Sequence, residues 1–241
     1  MKLIVANFKM NKNSVEMSEY LEKVSNENFS KKIVLLPSLS NLFLSTLYKN
    51  ENISYGVQNF FYKDEGNYTG EVNLSMLDGM NVEYVLVGHN ERRKQFKESN
   101  ATINKKILYA LEKGVTPILC VGESFGQTRN NLYKAHLKRQ ISLALKGVKI
   151  SDLEKVIIAY EPTYSIGAEN AADLLYVESN IELIKNIINS KSAKTEIKPK
   201  VLYGGSINKD NYEKFLNSEY IDGLLIGRAI LDADNLIEMG K

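Results

Sequence analysis

Short apolar runs alternate with longer amphipathic stretches along the whole chain. Eight of these runs fit β-strands, near residues 2 to 6, 33 to 36, 53 to 57, 84 to 87, 116 to 120, 156 to 160, 200 to 203 and 221 to 226. Such continuous apolar runs are typical of parallel strands that are buried on both faces. Between them, apolar residues three and four positions apart indicate amphipathic helices, as over 104 to 113, 132 to 145 and 174 to 188. The pattern predicts a β/α alternation throughout.

Length and composition fit one closed barrel of eight such units. The chain has 241 residues, of which 44% are hydrophobic, and a (β/α)8 barrel typically takes about 250 residues. No Pro-rich or Ser-rich linker interrupts the sequence. We therefore expect an α/β fold, a single (β/α)8 TIM barrel, in which residues 1–241 form one domain.

Charge, hydropathy and cysteine content indicate which partners, which location and which thiol chemistry to expect. The 31 basic and 29 acidic residues give a formal charge of +2, which shows no strong bias towards nucleic acid or membranes. No apolar run approaches the roughly 20 residues that span a bilayer, so we expect a cytoplasmic protein. Cys120 is the only cysteine and ends an apolar strand, which excludes an internal disulfide. A buried structural thiol is favoured there over a nucleophile.

A glutamate at the end of the sixth apolar run is the first candidate for chemistry. Glu161 follows the run 156 to 160 and precedes a loop that extends to Gly167. A carboxylate that leaves a buried strand is poorly solvated, so we expect its pKa to rise towards the working pH, as suits a general base. Taken alone, the segment fits a solvated glutamate at the start of a loop better.

Two other strand ends supply a cation and an imidazole. Asn7 and Lys9 follow the first run, although a lysine in such a loop is usually just solvated. His89 and Glu91 follow the fourth run, where we expect a helix to begin. The positive end of a helix dipole disfavours imidazolium, so the sequence predicts a neutral histidine that donates a hydrogen bond.

The last two strand ends are rich in glycine. Residues 203 to 206 read Tyr-Gly-Gly-Ser, and residues 227 to 229 read Gly-Arg-Ala. Glycine lets backbone N–H groups approach an anion closely, and in a barrel the loops after strands seven and eight are the usual phosphate site. Tight turns need glycine as well, so each loop alone is a weak signal.

Six motifs at the strand ends carry a resemblance to a known enzyme family. They are Asn-Phe-Lys-Met-Asn at 7 to 11, Gly-His-Asn-Glu-Arg-Arg at 88 to 93, Cys-Val-Gly-Glu at 120 to 123, Ala-Tyr-Glu-Pro at 159 to 162, Tyr-Gly-Gly-Ser at 203 to 206 and Asp-Gly-Leu-Leu-Ile-Gly at 222 to 227. In this order and spacing, the chain resembles triosephosphate isomerase over nearly its whole length. The resemblance implies an aldose-ketose isomerase of glycolysis and gluconeogenesis, which interconverts dihydroxyacetone phosphate and D-glyceraldehyde 3-phosphate through an enediolate without a metal or organic cofactor.

The resemblance also implies a role for each residue of the reacting centre. Glu161 matches the base that moves a proton between two carbons, and His89 matches the neutral electrophile that polarises the carbonyl. Lys9 matches the cation that offsets the charge of the phosphate and of the developing oxyanion, with Asn7 as its hydrogen-bonding neighbour. Glu91 resembles the buried carboxylate that supports the lysine. Removing a proton next to a carbonyl requires such a positioned base and a preorganised oxyanion site.

Further substrate contacts are implied around this centre. Residues 162 to 172 resemble a mobile lid that excludes water on closing. The residues expected to contact substrate, besides Asn7 and Lys9, are Ile166, Gly167, Ser206, Leu225, Gly227 and Arg228. Ile166 and Leu225 match an apolar clamp over the base, although Leu225 fits an ordinary barrel-core residue equally well. Gly167, Ser206 and Gly227 match phosphate donors.

The chain departs from the commonest family pattern at four places. Asn90 stands where serine is usual, which bears on the resting position of the base, and Tyr164 replaces a tryptophan of the lid. Ala168 and Glu169 replace a Thr-Gly pair. Arg228 occupies the second glycine of the last phosphate loop. We hypothesise that its side chain points outward, because an inward one would crowd a site built for close backbone approach.

A homodimer is implied by the loop after the third strand. Thr69, Gly70 and Glu71 match a segment that reaches into the partner subunit, where Thr69 would buttress Asn7 and Lys9. A loop that packs on its own subunit is the alternative.

Two other functions stay open at this point. The first is an isomerase of a related phosphorylated sugar such as a tetrulose phosphate, which the changes at Asn90 and Arg228 would permit by altering the room near the base. The second is a noncatalytic phosphate-binding barrel. The presence of both Glu161 and His89 argues against the second, because binding alone needs neither a base nor an electrophile.

Overall fold

The computed structural model of the protein describes residues 1–165, 171–192 and 195–241. Within these residues, eight parallel strands form a closed barrel in which each strand pairs with the next in sequence and β8 pairs with β1. The strands are β1 Leu3–Asn7, β2 Lys32–Leu36, β3 Ile53–Val57, β4 Val82–Val87, β5 Thr116–Val121, β6 Ile157–Tyr160, β7 Val201–Tyr203 and β8 Gly223–Ile226. The structure therefore confirms the predicted (β/α)8 barrel.

Helical segments surround the barrel. The α-helices are α1 Ser14–Ser25, α2 Asn90–Gln95, α3 Asn100–Glu112, α4 Phe125–Arg129, α5 Tyr133–Ala144, α6 Leu174–Asn189, α7 Tyr212–Leu216 and α8 Ala233–Gly240, and the 3₁₀ segments are Leu39–Thr46, Ser75–Leu77, Ile150–Lys155 and Arg228–Leu231. The connections after β2 and β3 contain only 3₁₀ segments among their regular elements. A 3₁₀ turn is tighter and shorter than an α-helix, so the helical layer is thinnest on that side.

Several element boundaries differ from the predicted ones. α3 begins at Asn100, four residues before the predicted start, because the Ser99 hydroxyl caps the helix by accepting from the Thr102 N–H at 3.1 Å. The first turn of this helix is polar, so apolar spacing does not reveal it. β4 starts two residues earlier than predicted, at Val82, and β8 starts two residues later, at Gly223.

Strand side chains alternate between two cores. In β1, Leu3 and Val5 belong to the core inside the barrel, whereas Ile4 and Ala6 pack against the surrounding helices. The inner core consists of Leu3, Val5, Val34, Leu36, Leu86, Ile118, Cys120, Ile157, Ala159, Leu202 and Leu225. By the same alternation Asn7 follows Val5 at the inward-facing end of its strand, which brings its side chain to the mouth of the barrel.

Among the described parts of the chain, none of the helices combines the length and the apolar character that a bilayer span requires.

Candidate active site

A cavity of about 560 Å³ opens at the C-terminal ends of the strands, which is where barrel enzymes place their chemistry. Nine residues predicted for the site line this cavity: Asn7, Lys9, His89, Glu91, Glu161, Ser206, Leu225, Gly227 and Arg228. They come from the ends of five different strands and are far apart in sequence. The predicted contacts Ile166 and Gly167, and the altered lid pair Ala168 and Glu169, lie outside the described residues.

Glu161 and His89 face each other at the bottom of the cavity. His89 Nε2 lies 3.3 Å from Glu161 Oε1, and 4% of Glu161 and 5% of His89 are exposed. The thiol of Cys120, an inner-core residue of β5, lies near the Glu161 carboxylate and lowers its pKa. A carboxylate and an imidazole in direct contact and shielded from water are the minimum for proton transfer to and from a bound carbon acid.

The pKa of Glu161 moves in the opposite direction to the one expected from the sequence. Burial raises it, but the His89 imidazole, the Cys120 thiol and the Lys9 ammonium together lower it by more, so the net shift is downward. Burial also raises the pKa of Cys120 well above its usual value, which keeps the thiol a neutral donor. The expectation of a raised Glu161 pKa was therefore wrong, because it counted desolvation without the neighbouring side chains.

His89 is positioned by the helix that it begins. It is the N-cap of α2, and its Nδ1 accepts a hydrogen bond of 3.4 Å from the Glu91 N–H. This contact fits a neutral imidazole whose hydrogen is on Nε2, the atom that faces Glu161. Burial lowers the pKa of His89, whereas the carboxylates of Glu161 and Glu91 raise it by more, so the net shift is upward. A substrate oxygen placed between Glu161 and Nε2 would take the hydrogen bond that the carboxylate holds here.

Lys9 is held by an ion pair and an unusual backbone conformation. Its Nζ lies 2.6 Å from Glu91 Oε1, and its φ is 52°, in the left-handed region that a residue with a Cβ rarely occupies. The Lys9 N–H donates to Asn7 Oδ1 at 3.0 Å, which stabilises this turn. Such strain costs on the order of 1–3 kcal/mol and is typical of functional positions. The turn aims the ammonium into the cavity.

Two glycines allow the backbone to approach Glu161 closely. A Cβ built on Gly122 would lie 1.8 Å from the carbonyl oxygen of Glu161, and one built on Gly204 would lie 3.0 Å from its Cγ. The Glu161 N–H also donates to the Val121 carbonyl at 2.8 Å. The loops after β5 and β7 therefore enclose Glu161 from two sides, and neither glycine position has room for a larger residue.

The predicted phosphate loops, 204 to 208 and 227 to 229, line the same cavity. A Cβ on Gly227 would be only 3.2 Å from Lys9 Cε. The Lys9 side chain therefore lies between Glu91, its ion-pair partner, and the last glycine loop. The Ser206 hydroxyl donates to the Ser165 carbonyl at 2.7 Å, so its role as a phosphate donor stays a prediction.

Arg228 is exposed, and it lines both this cavity and a groove of about 830 Å³ next to α1. Within the described residues its guanidinium makes neither a hydrogen bond nor an ion pair. Its φ is not in the left-handed region, so this position accepts a side chain without backbone strain and its N–H remains available to an anion.

We predict that Arg228→Gly changes KM for a triose phosphate by less than about threefold, because an exposed cation adds little in water. Steady-state kinetics at two salt concentrations check this. A large rise in KM in the variant, together with weaker substrate binding by the unaltered protein at high salt, would show that the guanidinium binds the phosphate.

The predicted dimer loop lies away from the cavity, whereas Asn90 lines it. Thr69, Gly70 and Glu71 are exposed on the loop after β3, and the buttress from Thr69 to Lys9 that a partner would complete stays a prediction. Asn90 lines the cavity, but within the described residues it makes no hydrogen bond to Glu161.

Two contributors to the site, Cys120 and Gly122, were not predicted from the sequence. Both belong to the Cys-Val-Gly-Glu motif, which lies beside Glu161 because β5 pairs with β6. The inward parity of Cys120 after Ile118 was the signal that could have found it. Across the described residues there is no group of three or more His, Cys, Asp or Glu side chains arranged to hold a metal ion.

Comparison with known proteins agrees with this geometry. The sequence profile of the triosephosphate isomerase family matches residues 2–241. Triosephosphate isomerase of Aquifex aeolicus is 38% identical over 245 residues, covering 99% of this chain and 98% of that protein. The enzymes of Dictyoglomus thermophilum and Finegoldia magna are 38% and 36% identical, over 95% and 99% of this chain and 94% and 98% of their own lengths. The chain therefore belongs to the triosephosphate isomerase family.

Proposed function

We propose that the protein interconverts dihydroxyacetone phosphate and D-glyceraldehyde 3-phosphate, as its family membership implies. The observation that carries the proposal is the contact of a buried carboxylate with an imidazole, Glu161 Oε1 to His89 Nε2 at 3.3 Å, in a cavity that also holds Lys9. The glycine loops after β7 and β8 give the same cavity an end suited to a phosphate.

Each residue has a distinct part in the proposed reaction. Glu161 takes a proton from the carbon next to the carbonyl and returns it to the former carbonyl carbon. His89 gives a proton to the carbonyl oxygen and takes one from the neighbouring hydroxyl, so that the two oxygens exchange roles. Negative charge that builds on the substrate oxygen is offset by the Nε2–H of His89 and by the Lys9 ammonium. Asn7 holds the Lys9 turn through its Oδ1, and Glu91 fixes the ammonium by the 2.6 Å ion pair. The roles of these five residues remain part of the proposal.

Substrate choice separates this function from the related sugar isomerase. A coupled assay should compare glyceraldehyde 3-phosphate with the phosphates of erythrose and erythrulose. We expect kcat/KM for the triose to be higher on the order of 10–200-fold, as for a pocket that must admit one extra carbon. Faster turnover of a tetrose phosphate would favour the alternative isomerase, and binding of phosphate without turnover of either sugar would favour the noncatalytic barrel.

A homodimer is part of the proposal and is supported by an apolar patch near the site. Met10, Leu39 and Phe43 have exposed fractions of 96%, 42% and 47% and follow β1 and β2, which are neighbouring strands. Gln58 joins these loops by donating to the carbonyls of Lys9 and Leu36 at 2.9 Å. Exposed apolar surface of this kind suits an interaction site, and a partner seated here would lie close to Lys9.

We predict that Leu39→Asp converts the protein to a monomer and removes most of its activity, because a buried unpaired charge opposes association. Sedimentation and turnover should be measured at the same concentrations. Leu175→Asp, at a 74% exposed leucine of α6, is the matched control and should change neither. A Leu39→Asp monomer with full activity would exclude a catalytic role for the dimer.

Two broader expectations complete the proposal. We infer that residues 1–241 act as a single TIM-barrel catalytic domain, since the strands that build the barrel extend from Leu3 to Ile226. We also infer a cytoplasmic location, because a charged phosphate ester does not cross a bilayer readily.

A further inference from the structure

A buried glutamate that the proposed reaction does not use lies next to the base. Glu123, two residues after β5, is 0% exposed. Its Oε1 accepts hydrogen bonds from the hydroxyls of Tyr160 at 2.9 Å and Tyr176 at 3.0 Å. In the described part of the chain its Oε2 has no hydrogen-bond partner. Burying a carboxylate with one unbonded oxygen costs free energy, so we expect other interactions or a functional role to offset that cost.

Glu123 fixes the chain on both sides of the segment that follows the base. Tyr160 directly precedes Glu161, and the Glu123 carbonyl accepts from the Thr163 N–H at 2.8 Å. Tyr176 lies in the first turn of α6, beyond that segment. Glu123 thus binds the start of this segment, at Thr163, through its backbone carbonyl. Its carboxylate binds a tyrosine before the segment and another after it, Tyr160 and Tyr176.

The exit of β5 has no freedom to move without moving the base. The Glu161 N–H bonds to the Val121 carbonyl at 2.8 Å, and a Cβ on Gly122 would overlap the Glu161 carbonyl at 1.8 Å. Packed interiors transmit such displacements because they contain few voids. A shift of Glu123 would therefore displace the backbone from which the catalytic carboxylate projects.

The direction of the hydrogen bonds to the Glu123 carboxylate is fixed. Burial raises the pKa values of the Tyr160 and Tyr176 hydroxyls, so both stay protonated and donate to the carboxylate. The Thr128 hydroxyl also lies 3.4 Å from that of Tyr176. Among these donors, Tyr176 alone comes from α6 and is separated from Glu161 by the intervening segment.

We propose that Tyr176 is a positioning residue for Glu161, which acts by holding the Glu123 carboxylate and, through it, the exit of β5 against the backbone of the base. The inference rests on the proposed function for the identity of the base. It predicts that the hydroxyl of Tyr176, which touches no substrate, matters to the rate of the proton transfer and little to substrate binding.

Tyr176→Phe tests this by removing only the hydroxyl and keeping the ring, which lies 6.0 Å from that of Tyr133. We expect kcat to fall about tenfold with KM within twofold, since small misplacements of a catalytic group are costly. Tyr55→Phe is the control, because its hydroxyl likewise donates a part-buried hydrogen bond, to the Tyr48 carbonyl at 2.7 Å, and the residue does not line the cavity. The control should lower the melting temperature to a similar extent and leave kcat unchanged.

Hydrogen exchange at the Glu161 amide gives a second readout that does not depend on turnover. Exchange should be faster in Tyr176→Phe than in Tyr55→Phe, because the Val121 carbonyl that accepts from this amide loses its support. Unchanged kcat and unchanged exchange in Tyr176→Phe would overturn the inference and leave a purely structural hydrogen bond. An unaltered protein without isomerase activity would overturn the proposed function, and the exchange result would then still decide whether Tyr176 positions Glu161.

Discussion

Replacing Glu161 by glutamine should lower kcat for triose phosphate isomerisation by about 10²–10⁴-fold, the usual contribution of a positioned general base. The amide has the size of the carboxylate, but it cannot take a proton from carbon. KM should stay within a few-fold of the original value, because the phosphate loops and Lys9 are untouched. Steady-state kinetics in both directions measure the effect.

A matched change elsewhere separates the loss of the base from the loss of a charge. Glu83, exposed at the start of β4, bonds to the Ser54 hydroxyl at 2.6 Å and lies at the opposite end of the barrel from the cavity. Glu83→Gln should retain full activity. If Glu161→Gln keeps more than a tenth of the activity under the same conditions, Glu161 is not the base and its negative charge is not required for turnover.

The barrel could be predicted from the sequence because its elements are specified locally. Each strand is a continuous apolar run, and the helices repeat apolar residues at helical spacing, so neither depends on knowing the neighbours. Chain order then fixes which strand ends meet, since consecutive parallel strands with helical connections usually lie side by side. Asn7, His89 and Glu161 were accessible to this reasoning because each directly follows an apolar run.

The remaining features depend on contacts between distant segments. The sign of the Glu161 pKa shift is set by His89 and Cys120, which come from β4 and β5, and no local pattern contains that sum. The positive φ of Lys9 likewise has no sequence signal, because glycine is the usual marker of that conformation. The hydrogen bond from Tyr160 to Glu123 could not be predicted either, because it depends on the pairing of β5 with β6.

Replacing Lys9 by methionine should lower kcat/KM by at least 10²–10³-fold, because a preorganised charge at a developing oxyanion contributes this much. The change also leaves Glu91 without its 2.6 Å partner, and an unpaired carboxylate would repel the phosphate. Lys12→Met is a demanding control, since Lys12 lies in the same loop at a φ of 66° and loses the same charge. It should keep its activity within about threefold.

The double variant Lys9→Met/Glu91→Gln decides how the lysine acts. If the loss in Lys9→Met came mainly from the freed Glu91 carboxylate, the double variant would recover most of the activity, because neighbouring charges are not additive. We expect little recovery, since the ammonium itself must face the oxyanion. KM and kcat should both change, because the side chain lines the same cavity as Glu161 and lies next to the loop that begins at Gly227. An active double variant would reduce Glu91 and Lys9 to a structural ion pair and leave His89 as the sole electrophile.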